Sequence, residues 1–332
     1  MVTITEIRTA NTSLKSSRSG LTAVITGGTS GIGYGFVKAL VSQTDSPKVY
    51  LVGRQEKLAQ VIGELETINS TGQYIGIQVK DLTLLADTEK AVNQILGQES
   101  KVDLLFMSQG YLSFASRDES GEGIDKITSI RHYSRTLLIL RLLPLLNAAA
   151  SPRVISVLAG SKEGVIFPND LEFKDPKNYS LAKVGDATAS YVSLTLEQIQ
   201  AQNPKISFVH AFPGLTKSSL FRPESFGRAL SFFINWVVMP ITSRFLWQSV
   251  EEAGERFLYV ASAPKFAAPG AGNDGDLAVG SKGVKGSGVY TINEKQEGVH
   301  NKILDSLRSD GSDVKIFEHT LDTIKRVVGD RI

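Results

Sequence analysis

The sequence predicts the α/β class, with one domain built on an open, doubly wound parallel sheet. Short apolar runs rich in β-branched residues alternate with longer segments of helical periodicity. The apolar runs are nearly continuous, as is typical of strands that are covered on both faces. Strict alternation of strand and helix implies parallel pairing through right-handed crossovers. The first apolar run also leads directly into a glycine-rich turn.

Six strands and five helices follow from this pattern, with no fixed-period repeat. The predicted strands are 21–26, 48–53, 73–79, 102–108, 153–158 and 206–212. The predicted helices are 32–43, 54–66, 84–98, 122–149 and 179–202. A glycine-rich stretch at 268–288 follows no strand, so we predict an exposed loop without a phosphate-binding role.

The domain organisation has three parts. Residues 1–20 are expected to form a polar arm, residues 21–295 the α/β domain, and residues 296–332 a C-terminal helical extension that packs on the core or on a neighbour. The uncharged stretch 229–243 lies inside a predicted substrate lid at 219–247. It is shorter than the roughly 20 residues that span a bilayer. Three interpretations of this stretch are open: a lid, a buried helix and a shallow peripheral membrane contact.

Composition excludes several classes of protein. The chain has no cysteine, which excludes a disulfide framework and a thiolate metal site. Its net charge of +2 and dispersed basic residues argue against nucleic-acid binding. Its four histidines lack the spacing of a metal-binding helix, so no metal is expected. The N-terminus lacks the apolar run of a secretory signal, and we expect a cytoplasmic protein.

The turn after the first strand carries the strongest functional signal. Its sequence, TGGTSGIG at 26–33, has the spacing GxxxGxG and opens a helix. Glycine permits the tight turn and a close approach of the backbone to a pyrophosphate, while the helix N-terminus offers free N–H groups to the anion. The sequence therefore predicts a dinucleotide site of Rossmann type, with the contacting residues Gly27, Thr29, Ser30, Gly31, Ile32 and Gly33.

The residues after the second and third strands bear on which dinucleotide binds. Arg54 follows the second strand, where an NAD site would place an acidic residue. An arginine there favours the 2′-phosphate of NADP(H), although a solvated arginine at a strand end is the simpler alternative. Asp81 follows the third strand, where it either contacts the adenine or caps the next helix.

Four motifs in order resemble those of the short-chain dehydrogenase/reductase family. They are TGGTSGIG at 26–33, LLFMSQG at 104–110, YSLAK at 179–183 and FPGLTKS at 212–218. Within the family, SIRHYSR at 129–135 and SFVHAFPG at 207–214 resemble fungal secondary-metabolism reductases. The stretch 162–178 is similar to the retinol-dehydrogenase-like branch.

The resemblance implies roles for individual residues. Tyr179 would be the general acid that protonates a carbonyl oxygen, and Lys183 would bind the cofactor ribose and lower the tyrosine pKa. The spacing i to i+4 predicts that both side chains lie on one helical face. Ala159 stands where the family has its serine, and Ser161 is the candidate substitute. Further cofactor contacts are expected from Ser108, Gly110, Pro213, Gly214 and Ser218.

The function predicted from these motifs is NADPH-dependent reduction of a ketone or aldehyde on a bulky apolar molecule, or the reverse oxidation. The lid supplies the apolar pocket through Phe232, Phe233, Trp236, Val237, Met239 and Trp247, unless these residues pack in the core or at a subunit interface. Ala159 and Arg131, which stands in place of a family asparagine, favour an alternative. That alternative is a relative without redox chemistry, acting as a cyclase, isomerase or binding protein. The family also implies a homo-oligomer.

Overall fold

A seven-stranded parallel sheet forms the centre of the molecule. The computed structural model describes residues 2–17, 19–113, 115–216, 247–271 and 276–331. The sheet has the order β3-β2-β1-β4-β5-β6-β9, and every pair in it is parallel. A separate short pair is formed by β7 and β8. The strands are β1 Thr22–Thr26, β2 Lys48–Gly53, β3 Gln73–Gln78, β4 Leu104–Met107, β5 Arg153–Val157, β6 Ser207–Ala211, β7 Leu215–Thr216, β8 Trp247–Gln248 and β9 Val289–Ile292.

Helices cover both faces of this sheet, which confirms the predicted doubly wound fold. They are α1 Ile4–Thr12, α2 Leu14–Ser17, α3 Gly31–Gln43, α4 Gln55–Ile68, α5 Leu85–Leu96, α6 Lys126–Thr128, α7 Ser134–Ala148, α8 Leu181–Gln202, α9 Val250–Ser262, α10 Lys302–Ser309 and α11 Ser312–Val328. A π-helical turn, Ser129–Tyr133, joins α6 to α7. Short 3₁₀ turns lie at Pro176–Asn178 and Pro264–Phe266.

The core consists of two apolar layers, one on each face of the sheet. On one face the rings of Phe36 and Phe106 stack with centroids 3.8 Å apart, and Phe257 meets Phe106 edge to face at 5.7 Å. The other layer packs α5, α7 and α8 against the strands, with Leu138 and Val192 buried among them. The strands β1, β4, β5 and β6 are buried along their whole length because helices cover both of their faces, whereas the edge strand β3 is largely exposed.

Three features differ from the sequence-based expectations. The strand β9 was missed, and it pairs with β6 at the edge of the sheet. The glycine-rich stretch before it is not simply an exposed loop, because Leu277 and Ser281 are buried within it. The residues expected to form a polar arm include α1, which packs on α9. There Ile7 is fully buried and the Nδ2 of Asn11 donates to the Glu255 carbonyl at 2.9 Å.

The C-terminal helices pack on the same chain. The Nε2 of His132 lies 2.8 Å from the Oγ1 of Thr320, which joins the π turn to α11. The predicted lid, apart from Trp247, lies outside the described residues. Among the helices that are described, none has the length and apolarity that crossing a membrane requires.

Candidate active site

A cleft of about 620 Å³ lies at the carboxyl ends of the central strands. This edge of a doubly wound sheet is where such folds bind ligands, since the strand order reverses there between β1 and β4. The cleft is lined by Gly27, Thr29, Ser30, Gly31, Ile32, Val52, Gly53, Arg54, Val79, Lys80, Asp81, Leu82, Thr83, Ser108, Gln109, Gly110, Tyr111, Leu112, Lys126 and Ile130.

The glycine-rich turn forms one wall of the cleft and fits a dinucleotide. Gly27 and Gly31 have φ of 77° and 55°, a region that disfavours residues with a Cβ. A Cβ on Gly33 would lie 2.4 Å from both the Gly27 carbonyl oxygen and the Ser108 Oγ. The turn therefore depends on glycine for its shape. The first N–H groups of α3 have no intrahelical partner and are suited to a pyrophosphate.

Two cations stand at the ends of β2 and β3. Arg54 and Lys80 are exposed and both line the cleft. Asp81 lies beside them, and its Oδ1 accepts a hydrogen bond from the Thr83 N–H at 2.8 Å. The next helix has Leu84 at its N-cap position. Asp81 is therefore not the helix cap, and the predicted contact with the adenine stays a prediction.

The end of β4 forms the floor of the cleft. The Ser108 Oγ donates to the Thr26 carbonyl at 3.3 Å, which ties this strand to the glycine-rich turn. Gln109 is buried, and its Oε1 accepts from the Thr26 hydroxyl. Its Nε2 has no hydrogen-bond partner within the described part of the chain. Gly110 lies at the surface of the cleft.

A buried arginine braces this floor from below. Arg135 is 2% exposed, and its guanidinium donates to the carbonyls of Met107 at 3.1 Å and Gln109, and to the Ser156 Oγ at 2.7 Å. Burial lowers its pKa to about 9. All its hydrogen-bond partners are uncharged, so the arginine locks the ends of β4 and β5 without an ion pair.

Tyr179 lies outside the lining of this cleft, and its hydroxyl is held by Asp125. The tyrosine hydroxyl donates to Asp125 Oδ2 at 3.0 Å, while Asp125 Oδ1 accepts the Thr128 N–H at 2.9 Å and so caps α6. Burial, together with the neighbouring carboxylate, raises the pKa of Tyr179 above its usual range. The phenol is therefore protonated at neutral pH and able to act as an acid.

Tyr179 and Lys183 do not share a helical face, so that prediction is wrong. The helix begins only at Leu181, because Ser180 acts as its N-cap and accepts the Lys183 N–H at 3.2 Å. Tyr179 precedes the cap in an extended conformation. The exposed Lys183 ammonium donates to the Lys177 carbonyl and lies 5.8 Å from the centroid of the Phe167 ring. Neither Tyr179 nor Lys183 is among the residues that line the cleft.

Arg131 is the cation that the structure places beside Tyr179. It lies in the π turn and is 7% exposed, and its charge interacts with Tyr179, Asp125 and Tyr111. A Cβ on Gly185 would lie 3.8 Å from its Nη1, so the guanidinium reaches the second turn of α8. Burial lowers the pKa of Arg131. π turns occur frequently at functional sites.

Ser161 lies in a strained loop held by a buried polar network. Its φ is 66°, its N–H donates to Glu163 Oε1 at 3.1 Å, and its buried Oγ has no partner among the described residues. The Ser193 Oγ bridges Glu163 Oε1 at 2.7 Å and His210 Nδ1 at 2.8 Å. His210 Nε2 accepts the Ala159 N–H at 3.2 Å. The network thus fixes the loop that follows β5, including the position where the family has its serine.

The remaining predicted contacts lie after β6. Gly214 has φ of 72°, and the Pro213 carbonyl accepts from Gln248 Nε2. Neither residue lines the cleft. Ser218 lies outside the described residues. The cleft therefore brings together the predicted residues of the glycine-rich turn other than Gly33 with those that follow β2, β3 and β4. It does not include Ser161, Tyr179 and Lys183, or the predicted residues after β6 that the structure describes.

Comparisons with known proteins agree with this architecture. Residues 21–224 match the family model for short chain dehydrogenase. An oxidoreductase of Emericella nidulans is 34% identical, with 99% of each chain covered. A short-chain dehydrogenase/reductase of Stachybotrys chartarum is 29% identical over 92% of each chain. These relatives are fungal, as the sequence motifs predicted.

Solved structures share the fold at low sequence identity. L-sorbose reductase from Gluconobacter frateurii, complexed with NADPH and L-sorbose, has a TM-score of 0.56 at 18% identity and covers 74% of this chain and 90% of its own. NADPH-bound carbonyl reductase from chicken fatty liver has a TM-score of 0.54 at 16% identity, with 86% of this chain and 100% of its own covered. The chain belongs to the short-chain dehydrogenase/reductase family of oxidoreductases.

Proposed function

We propose that this protein reduces a ketone or aldehyde on a bulky apolar molecule with NADPH, and that Tyr179 donates the proton. The observation that carries the cofactor preference is the pair of exposed cations at the cleft, Arg54 and Lys80. Arginine binds phosphate oxygens through two parallel hydrogen bonds, and a second cation adds to the attraction of the 2′-phosphate. NADPH in the L-sorbose reductase and carbonyl reductase complexes is consistent with this choice.

Different residues of the chain would bind the cofactor and transfer the proton. The glycine-rich turn and the N-terminus of α3 would hold the pyrophosphate, with Asp81 near the adenine. When bound, the reduced nicotinamide supplies a hydride to the carbonyl carbon. The Tyr179 hydroxyl would move its hydrogen bond from Asp125 to the carbonyl oxygen and give up its proton there.

A titration with NADPH and NADH tests the cofactor choice. The wild-type protein should bind NADPH at least about tenfold more tightly, because the 2′-phosphate adds a charge-assisted contact worth about 1.5 kcal/mol or more. Arg54→Gln combined with Lys80→Gln should remove that preference and leave NADH binding unchanged. Lys57→Gln is the matched control, since Lys57 is exposed on α4 and does not line the cleft. Binding of neither nucleotide would contradict the proposal.

Tyr179→Phe tests the proton donor. Loss of a general acid should lower turnover about 10² to 10⁴-fold while NADPH affinity stays the same. The control is Tyr34→Phe, because Tyr34 bonds to Glu64 on α4, away from the cleft. Turnover that survives in Tyr179→Phe would contradict this role.

One observation favours a second function without redox chemistry. The Lys183 ammonium is engaged by the Lys177 carbonyl, so its expected role at the cofactor ribose requires the side chain to leave that carbonyl. A protein that reorganises or binds its substrate does not need this lysine. Product formed in the absence of NADPH, at the rate seen with it, would select this second function.

A further inference from the structure

We propose that Arg131 binds an acidic group of the substrate next to the carbonyl, so that the substrate class is an oxo acid or an enolised dicarbonyl with an apolar body. This inference rests on the proposed function, since it assigns the substrate of the same site. It starts from the buried guanidinium in the π turn, which stands in place of a family asparagine. Asparagine is neutral, so the replacement adds a positive charge.

Among the residues that the structure describes, Arg131 has none of the partners that a buried cation requires. It is 7% exposed, and no described residue forms a hydrogen bond or ion pair with its guanidinium. Burying an unpaired charge is costly unless it gains a counter-charge and hydrogen bonds. Arg135, four residues on, shows the contrast, because three carbonyls and one hydroxyl accept its hydrogen bonds. The guanidinium of Arg135 is therefore hydrogen-bonded within the protein, whereas the N–H donors of Arg131 have no acceptor among the described residues.

Asp125, the carboxylate whose charge acts on Arg131, already accepts other hydrogen bonds. Its Oδ1 accepts the Thr128 N–H at 2.9 Å, and its Oδ2 accepts the Tyr179 hydroxyl at 3.0 Å and the Asp118 N–H at 3.1 Å. It interacts with Arg131 through charge alone. The fork of the guanidinium is thus left for a planar anion, which it recognises through two parallel hydrogen bonds.

The surroundings of Arg131 suit an anion that enters with the substrate. The charge of Arg131 acts on two tyrosines, Tyr111, which lines the cleft, and Tyr179. Burial raises the pKa of Tyr111 to about 12 and that of Tyr179 above its usual range, so both phenols are neutral. Gly185 leaves room beside the Nη1 of Arg131. The guanidinium is also close to the first turns of α8, whose positive end favours an anion. A substrate acid held here would lie near the proton donor Tyr179.

Phenylglyoxylate and its methyl ester form a matched pair of probes, because both carry the same ketone and only the acid has a charge. Their dissociation constants can be measured by calorimetry with saturating NADP⁺, which cannot reduce the ketone. The wild-type protein should bind the acid at least about tenfold more tightly than the ester. Arg131→Gln should remove this preference, and Arg131→Lys should keep part of it, since lysine retains the charge but not the fork.

Lys126→Gln is the control for a general effect of positive charge. Lys126 also lines the cleft, but its ammonium already pairs with Asp118 at 2.8 Å, so this variant should keep the preference for the acid. Equal binding of acid and ester by the wild type would overturn the proposal, as would an Arg131→Gln variant that still prefers the acid. The wild-type comparison needs no variant to fold.

The same titrations separate this inference from the proposed function. Each is repeated without nucleotide, and NADPH affinity is measured on the same samples. A protein that prefers the acid but binds no nucleotide would contradict the reductase function and support the role of Arg131. A protein that binds NADPH but binds the acid and the ester equally would support the cofactor choice and contradict the role of Arg131.

Discussion

The proposed site has two ends that are built in different ways. The cofactor end is the glycine-rich wall of the cleft, and the reaction end is the group formed by Tyr179, Asp125 and Arg131, which does not line the cleft. At the cofactor end, the glycine-rich turn shapes the site through its backbone, and the positive φ of Gly27 and Gly31 is local to the turn. At the reaction end, Tyr179, Asp125 and Arg131 come from three separate segments and meet through their side chains. A site formed by the backbone is encoded by a few consecutive residues. A site formed by side chains depends on the positions of segments that are distant in the sequence.

This difference matters because the two ends depart unequally from the family pattern. The cofactor end keeps the expected glycines, and the reaction end replaces the family serine and asparagine with Ala159 and Arg131. We therefore expect that each end can be altered without the other, so that nucleotide binding and the choice of substrate change separately.

The largest effect is expected from Arg135, which holds the ends of β4 and β5 beneath the floor of the cleft. Arg135→Met would leave the carbonyls of Met107 and Gln109 buried without a donor, at about 1 to 3 kcal/mol each. The free energy of unfolding should fall by about 3 kcal/mol or more, as measured by urea denaturation.

Arg131→Met is the comparison for that experiment. It removes a buried charge that has no hydrogen bond to a described residue, so the free energy of unfolding should change by less than about 1 kcal/mol or rise. An equal loss of stability in Arg131→Met and Arg135→Met would show that Arg131 is also a structural residue. It would contradict the proposed difference between the two arginines.

The next effect concerns the cofactor end alone. A Cβ in Gly33→Ala would lie 2.4 Å from the Gly27 carbonyl oxygen, so the turn must shift at a cost of about 1 to 3 kcal/mol. NADPH affinity should fall by about tenfold to a hundredfold in a titration. Gly63→Ala on α4 is the control, since nothing lies within 4 Å of its Cβ. Unchanged NADPH affinity in Gly33→Ala would contradict the assignment of the turn.

The smallest effect concerns the reaction end and depends on pH. Burial and, to a smaller extent, the Asp125 carboxylate raise the pKa of Tyr179, because both oppose ionisation of the phenol. Reduction needs the protonated phenol, so the rate should fall as pH rises through that pKa. In Asp125→Asn the charge is gone, the pKa is lower, and the fall in kcat/KM should begin at lower pH.

The control for the pH profile is Asp118→Asn, because the Asp118 side chain is exposed and pairs with Lys126. Its profile should follow that of the wild type. A profile that is the same in Asp125→Asn and the wild type would mean that Asp125 does not govern the acidity of Tyr179.

The sequence predicted most of the fold because the strands are short, apolar and regularly spaced. All six predicted strands occur within about two residues of their expected bounds. The strand β9 was missed since only four residues, Val289–Ile292, form it after a glycine-rich stretch. Its pairing with β6 is a tertiary contact, and no local pattern marks such a contact.

The candidate site was only partly predictable. The glycine-rich turn and Arg54 were found because their motif is local. The prediction that Tyr179 and Lys183 share a helical face was wrong, because Ser180 is the N-cap and the helix begins after Tyr179. Asp125 was missed, although an aspartate ahead of an apolar helical run is a recognised capping signal. Nothing in the sequence marks the π turn that positions Arg131.

The Asp125 carboxylate both caps α6 and accepts the hydrogen bond of the Tyr179 hydroxyl. Any substitution of Asp125 in evolution therefore affects the helix and the acidity of the phenol together. Asparagine, serine and threonine keep the cap, while alanine loses about 1 kcal/mol of helix stability together with the acceptor for Tyr179. Changes in the acidity of this site are therefore confined to residues that can still begin a helix. Selection for a folded protein restricts which variants of its chemistry can be sampled.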